Sequence, residues 1–141
     1  MAQELNIHPL DFELDTAIGI KISPSSVKGN VFVPTYTTLE QAKTNLLMLL
    51  LTNEGERVMH PTFGVGLPKL LFEPIDDALI VKMKDRIKAK AAIWLPYINV
   101  DYLNVEPNKD SNLIGIQIDF SLVGNTFDTE TIVLELSLPP A

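Results

Sequence analysis

The 141 residues include no cysteine, which excludes disulfides, thiolate metal sites and a cysteine nucleophile, and makes a small secreted disulfide scaffold untenable. Histidine is nearly as scarce. His8 and His60 stand alone, with nothing at ligand spacing around either, so neither a metal site nor a histidine-based triad has its parts. Positive charge is also short: eleven basic residues against eighteen acidic leave a net charge of −7 and a pI near 4.7, which opposes binding to a phosphate backbone. No nucleic-acid partner is expected. The longest apolar run, Leu46 to Leu51, is far below the roughly 20 residues of a helical membrane span. The opening residues Met1 to Pro9 lack the basic and apolar regions of a secretory signal, so neither a leader nor a membrane partner is expected. Gly64-Val65-Gly66 lacks the third glycine and preceding strand of a dinucleotide fingerprint, and no Gly-Lys-Ser/Thr occurs; no cofactor is expected.

What is present suits one globular domain. Hydrophobic residues make up 46% of the sequence and charged residues 21%, with a mean hydropathy of +0.17. That is enough for a single core and short for two.

Residues 1–37 read as an extended N-terminal arm with one or two short strands: apolar pieces at Ile18 to Ile22 and Val31 to Val33, and turn formers at Ser23 to Ser26 and Lys28 to Asn30. The remainder, 38–141, reads as the domain proper. Thr38-Leu39-Glu40-Gln41 has the form of a capping box and predicts a helix start. Leu39, Ala42, Leu46, Leu49 and Leu50 share one face, while Leu47, Met48 and Leu51 make the last turns apolar nearly all round. Gly55 suits a left-handed residue past that helix. Val58 to Pro68, with two glycines and two prolines, predicts a shaped loop, and Lys69 to Glu73 one short helical turn. Asp76 or Asp77 is placed to cap a second long helix ending near Trp94. Its apolar stripe, Ile80, Met83, Ile87, Ala91 and Trp94, spans roughly 80° at 100° per residue.

Three strands follow. Ile98, Val100 and Tyr102 alternate before Leu103 and Val105 shift phase, which predicts a bulge. Ile114 to Leu122 and Ile132 to Leu138 alternate strictly, with turns expected at Glu106 to Asn112 and Gly124 to Asp128. The fold class is therefore α+β: two main helices on one face of a small antiparallel three-stranded sheet.

Glu54, Glu56 and Glu73 are the acids that a hydrolytic reaction would draw on. Their plainer reading is structural, with Glu54 and Glu56 solvated about a turn glycine and Glu73 meeting Arg57 or a free backbone amide. Lys82, Arg86 and Lys90 form a like-charge ladder at spacing four, either a solvated helix face or one opposed by an acidic protein partner. The final strand, if it lies at the sheet edge, offers free backbone groups to a strand from another chain, unless Pro139 and Pro140 block it.

One segment resembles a known family. A helix carrying Asn45-Leu46-Leu47 and Leu51-Thr52, then Gly55-Glu56-Arg57, Pro61, Phe63-Gly64, Gly66-Leu67 and Leu71-Phe72-Glu73, resembles the baseplate wedge family of contractile-tailed phages often labelled lysozyme-like. The helix and three strands that follow match the family's order, so the resemblance runs roughly from 38 to 138. It implies a structural rather than enzymatic role. Members sit in the baseplate around the tail tube and contact the wedge core. They present a small sheet like the interlocking domain of sheath subunits, on which the first sheath ring assembles; type VI secretion systems carry counterparts. The implied partners are the sheath protein, the baseplate wedge proteins and the central tube or hub. Six copies are implied in each baseplate, in a virion tail assembled in the host cytoplasm.

On the same resemblance Thr52, Gly55, Glu56, Arg57, Pro61, Phe63, Gly64, Gly66, Leu71, Phe72 and Glu73 form a structural signature, with Arg57 and Glu73 as its ion pair. The strand from about Thr131 would hold a sheath arm through Ile132, Leu134, Leu136 and Leu138. One departure stands out: where members carry Glu-Pro-Arg, a motif tied to the wedge-core contact, this sequence has Leu95-Pro96-Tyr97. That contact is then apolar here or made differently. Two alternatives remain open at this point, a muramidase-type cell-wall hydrolase and a soluble regulator that binds another protein through the same sheet edge.

Overall fold

A computed structural model describes residues 11, 15–21, 33–108, 110–111 and 113–137. The expected turns at Ser23 to Ser26 and Lys28 to Asn30, together with His8 and Leu138, lie outside the described residues. Two short strands, β1 (Gly19–Lys21) and β2 (Val33–Thr35), pair antiparallel as a separate two-stranded sheet. They rest on the N-terminal half of the first helix, α1 (Thr38–Leu51), with Gly19 directly against the Gln41 side chain.

The cap of α1 falls one residue earlier than the sequence predicts. Thr37 is extended and its hydroxyl accepts from the Glu40 amide at 3.2 Å, while the Glu40 carboxylate accepts from the Tyr36 amide at 3.4 Å. The residues expected to form the box are held by the arm instead. Thr38 donates from its amide and its hydroxyl to the Asp11 carboxylate, both at 2.7 Å, and the Gln41 carbonyl oxygen accepts from the Thr35 hydroxyl at 2.7 Å. A tertiary partner has displaced a local one. At its other end α1 stops at Thr52, which is extended and whose hydroxyl donates to the Met48 carbonyl at 2.6 Å.

Helix α2 (Leu67–Leu70) is a single turn that starts a little earlier than predicted, and α3 (Asp77–Trp94) is the second long helix. Asp76 caps α3, accepting from the Leu79 amide at 2.7 Å. Its buried row is Leu79, Met83, Ile87 and Ala91, an unbroken spacing of four. Ile80 and Trp94, expected in that stripe, are only half-buried.

Strands β3 (Ile98–Asn108), β4 (Leu113–Leu122) and β5 (Asn125–Ser137) form an antiparallel meander in the order β3-β4-β5. Ile114, Ile116, Ile118 and Phe120 of central β4 join the buried residues of α1 and α3 in one core. Helix α3 lies along β3, and α1 reaches β5. The bulge sits between Val100 and Tyr102, slightly before the change of hydrophobic phase. The last strand begins at Asn125 rather than near Thr131, because the β4–β5 connection is only Val123-Gly124, with Gly124 at φ +92°. A two-residue hairpin loop of this kind needs the positive φ that glycine supplies.

Candidate assembly surface

The loop after α1 is a knot built from the signature residues. The Glu56 carboxylate accepts from the Asn53 amide at 3.0 Å and from the Asn53 side-chain amide at 2.7 Å. Gly55, at φ +90°, donates its amide to the Pro61 carbonyl at 2.7 Å. The chain then returns to the end of α1. There the Val65 amide donates to the Leu49 carbonyl at 2.8 Å and the Gly66 amide to the Thr52 carbonyl at 2.9 Å. Helix-terminal carbonyls that lack an intrahelical donor are thus satisfied by the loop. Gly64 makes that approach possible. Its φ is +111°, and a β-carbon there would lie 2.2 Å from the Thr52 carbonyl oxygen. Leu71 is buried beneath the knot, while Phe72 projects into solvent.

The knot is tied to α3 by charge and by aromatic contact. Glu54 accepts from Lys90 at 2.5 Å and pairs with Arg86 at 3.2 Å, and Lys82 meets Glu73 at 2.8 Å. The predicted Arg57–Glu73 pair is therefore absent. Arg57 lies instead over the Phe63 ring, 3.8 Å from its centroid. Lys82 is close enough to claim Glu73, leaving Arg57 to an aromatic face that suits its planar cation. The basic ladder of α3 meets acids of the protein's own loop. Phe63 and His60 each meet the Trp94 ring edge-on, at 5.2 and 5.4 Å. Asn53 is a part of the knot that the sequence did not single out, and only the fold brings Lys90 of the basic ladder and Trp94 of the helix stripe to it.

Of the three hydrolytic candidates, Glu54 and Glu56 are held below their ordinary carboxylate range. For Glu54 the hydrogen bond from Lys90 is the main cause; desolvation opposes it, and the charges of Arg86, Lys90 and Lys69 reinforce it. For Glu56 the causes are the Asn53 backbone and side-chain donors. A depressed folded value makes Glu54 stabilising above pH 4.5, its ordinary value, with that contribution lost as pH falls through the folded value. The difference in melting temperature between wild type and Glu54→Gln should therefore be constant at neutral pH and narrow below pH 4.5. A thermal-melt series in pH checks it, and a gap that widens in acid would contradict the assignment.

Two open surfaces flank this frame. A wide groove of about 740 Å³ runs between β1, α1, the knot and the end of α3, with Met48, Arg57, His60, Trp94 and Tyr97 in its lining. Here lie Leu95, Pro96 and Tyr97. Leu95 is buried and its amide bonds back to the Ala91 carbonyl at 2.8 Å, so its side chain is not available to a partner. Pro96 and Tyr97 are exposed, the Tyr97 hydroxyl accepting from Asn45 at 2.7 Å. The second surface is the outer edge of β5, which among the described residues pairs only with β4. Beside it an apolar groove of about 390 Å³ is lined by Leu47, Met48 and Leu51 of α1 and by Ile132, Val133 and Leu134 of β5. Ile132 is buried in the core, whereas Leu134 and Leu136 are half-buried.

A family model described as "Baseplate wedge protein gp25" matches residues 38–126, well over half of the sequence and the whole stretch from the cap of α1 into β5. The chain belongs to the gp25 baseplate wedge family. The gp25 protein of Enterobacteria phage T4 is 30% identical over 99 residues, covering 70% of this chain and 75% of that one. The same fold occurs in a Geobacter sulfurreducens crystal structure described as a putative tail lysozyme, with a TM-score of 0.65, 22% identity and coverage of 76% of this chain and 96% of that one. Chains in two cryo-EM baseplates share it as well. In the anti-feeding prophage the TM-score is 0.52 at 20% identity, covering 86% of this chain and 82% of that one; in post-contraction pyocin R2 it is 0.51 at 16%, covering 84% and 97%. As a gp25-family member the protein is a baseplate component of a contractile tail or related particle. The signature expected of that family is, in this structure, the knot that closes α1 and joins it to α3.

Proposed function

We propose that the protein is a non-enzymatic structural subunit that starts the sheath by pairing a sheath strand with the free edge of β5. The observation that carries this reading is the edge itself. β5 runs for thirteen residues and, among the described residues, is bonded on one side only, so alternate amides and carbonyls face away from the sheet. An added strand would gain backbone hydrogen bonds there and side-chain selectivity from the groove formed with Leu47 and Leu51. A preformed edge also lowers the ordering cost met by the first sheath subunits. The subunit would stand in six copies around the central tube or hub, in particles assembled in the host cytoplasm. Pro96, Tyr97 and the wide groove beside them would form the wedge-core contact, apolar where relatives carry charge.

Muramidase chemistry needs a carboxylic acid kept protonated opposite a second carboxylate. The depressed values of Glu54 and Glu56 and the lysine pairing of Glu73 favour the non-enzymatic reading.

The test uses Val133→Pro and Leu134→Pro in tail particles. Of two neighbouring edge residues, one amide points toward β4 and the other outward, and proline is tolerated at the outward position. The variant that removes an outward amide should keep its circular dichroism spectrum and enter baseplates. Sheathed tails should nevertheless fall on the order of tenfold, as expected if about 1.4 kcal/mol of pairing energy is lost. Normal sheath growth on baseplates containing that folded variant would sink the strand-pairing mechanism.

A further inference from the structure

Charge is distributed unevenly over this molecule. Between Ile98 and Ser137 there are seven acidic residues and one basic residue, Lys109, a net of −6 out of the protein's −7. The registers place Glu106, Gly115 and Glu135 side by side across the three strands, next to them on the same face Asn104, Gln117 and Val133, and beyond those Tyr102, Asp119 and Thr131. Those rows form the solvent face of the sheet, opposite the helices. Glu135 is exposed and has no side-chain partner among the described residues. Among the described residues, Glu106 accepts from Asn104 alone, at 2.6 Å. Gly115 leaves the space between the two carboxylates open: a β-carbon added there would meet nothing nearer than the Glu106 carbonyl oxygen, at 3.7 Å.

The other side of β5 is different in kind. Leu134 and Leu136 point toward the helix side, where Leu47, Met48 and Leu51 complete the apolar groove, and Leu51 remains 43% exposed. Glu130, on that side, is already paired with Lys43 at 3.0 Å. A strand laid beside β5 would therefore meet two surfaces at once, apolar toward α1 and, toward solvent, a carboxylate that has no basic partner among the described residues.

We infer that the β5 edge selects an amphipathic strand with apolar side chains on the groove side and a lysine or arginine on the solvent face beside Glu135. A basic side chain from that position meets Glu135 directly, because neighbouring strands stand only about 4.8 Å apart, while Glu106, two strands further in, adds to the negative field without being touched. Opposite charges paired across strands stabilise, and like charges repel. The acidic face would also speed encounter with a basic segment and turn away an acidic one. This rests on the strand-pairing reading above and adds the chemical identity of the segment.

The experiment compares Glu135→Lys and Glu135→Gln with wild type in tail particles, scoring sheathed tails by electron microscopy across a salt series. Circular dichroism and baseplate incorporation are checked on the same samples. Since Glu135 is exposed, both variants should fold. Glu135→Lys should reduce sheath initiation on the order of tenfold at low ionic strength, with partial recovery as salt screens the repulsion, and Glu135→Gln should fall between it and wild type. If Glu135→Lys initiates sheath normally while the outward edge-proline variant fails, the charge selection is wrong and the pairing reading survives. If both initiate normally, both fall. A loss in Glu135→Lys that is the same at every salt concentration also overturns the charge selection.

Discussion

Replacing Gly64 with alanine should destabilise the protein by about 3–5 kcal/mol, among the largest effects available to a single methyl group here. Two independent costs combine. At φ +111° an L side chain is strained whatever surrounds it, and the new β-carbon would sit 2.2 Å from the Thr52 carbonyl oxygen, which already accepts the Gly66 amide. Relief requires moving backbone on one side or the other, and either movement threatens the bonds from Val65 and Gly66 that close α1. For a domain of this size, the melting temperature should fall by roughly 10–15 °C. Gly55→Ala is the control. Its φ is also positive, at +90°, but nothing lies within 4 Å of the added atom. Its cost should be confined to backbone strain, about 1–2 kcal/mol. Equal losses in the two variants, measured by denaturant unfolding, would show that the Thr52 contact is not what makes Gly64 necessary.

Phe120→Ala should cost about 3–5 kcal/mol through lost burial and the cavity left behind. Phe120 is fully buried on the central strand, opposite Val100 on β3 and Glu130 on β5. The site is braced on every side. Strands β3 and β5 fix the backbone, and the helices cover the ring's face of the sheet, so little of the cavity can collapse. Phe120→Leu, which retains most of the volume, should cost under about 1.5 kcal/mol. Unfolding curves for the pair would check this, and a loss below about 2 kcal/mol for the alanine variant would mean that the helices close over the gap.

Much of the architecture was legible because it follows from periodicity. The alternation of Ile114 to Phe120 and the spacing of Met83, Ile87 and Ala91 record which faces are dry. The two long helices, the three consecutive strands and the α+β class all emerged from that pattern. The errors have a common cause in contacts between residues distant in sequence. Thr38 has the local chemistry of a cap, yet Asp11, 27 positions away, takes its amide and hydroxyl. Thr131 looked like a strand start because hydrophobic alternation begins there, but β5 is paired from Asn125, where polar residues continue the ladder.

The candidate site divides along the same line. By itself, the sequence determined that the segment from Val58 to Pro68 is a shaped loop with two glycines, Gly64 and Gly66, and that the family is that of the baseplate wedge. These are properties of residue type and local order. Only the tertiary structure decided that Glu73 belongs to Lys82, that Glu54 anchors the loop to Arg86 and Lys90, and that Arg57 rests on Phe63. Ion pairing depends on which charges the packed helices bring within a few ångströms, and several partners are equally plausible along the chain. The exposed edge of β5 is likewise a matter of strand order. Alternation tells which face of a strand is buried, whereas its neighbours in the sheet, and hence its free hydrogen-bonding groups, exist only once the meander has closed on the helices.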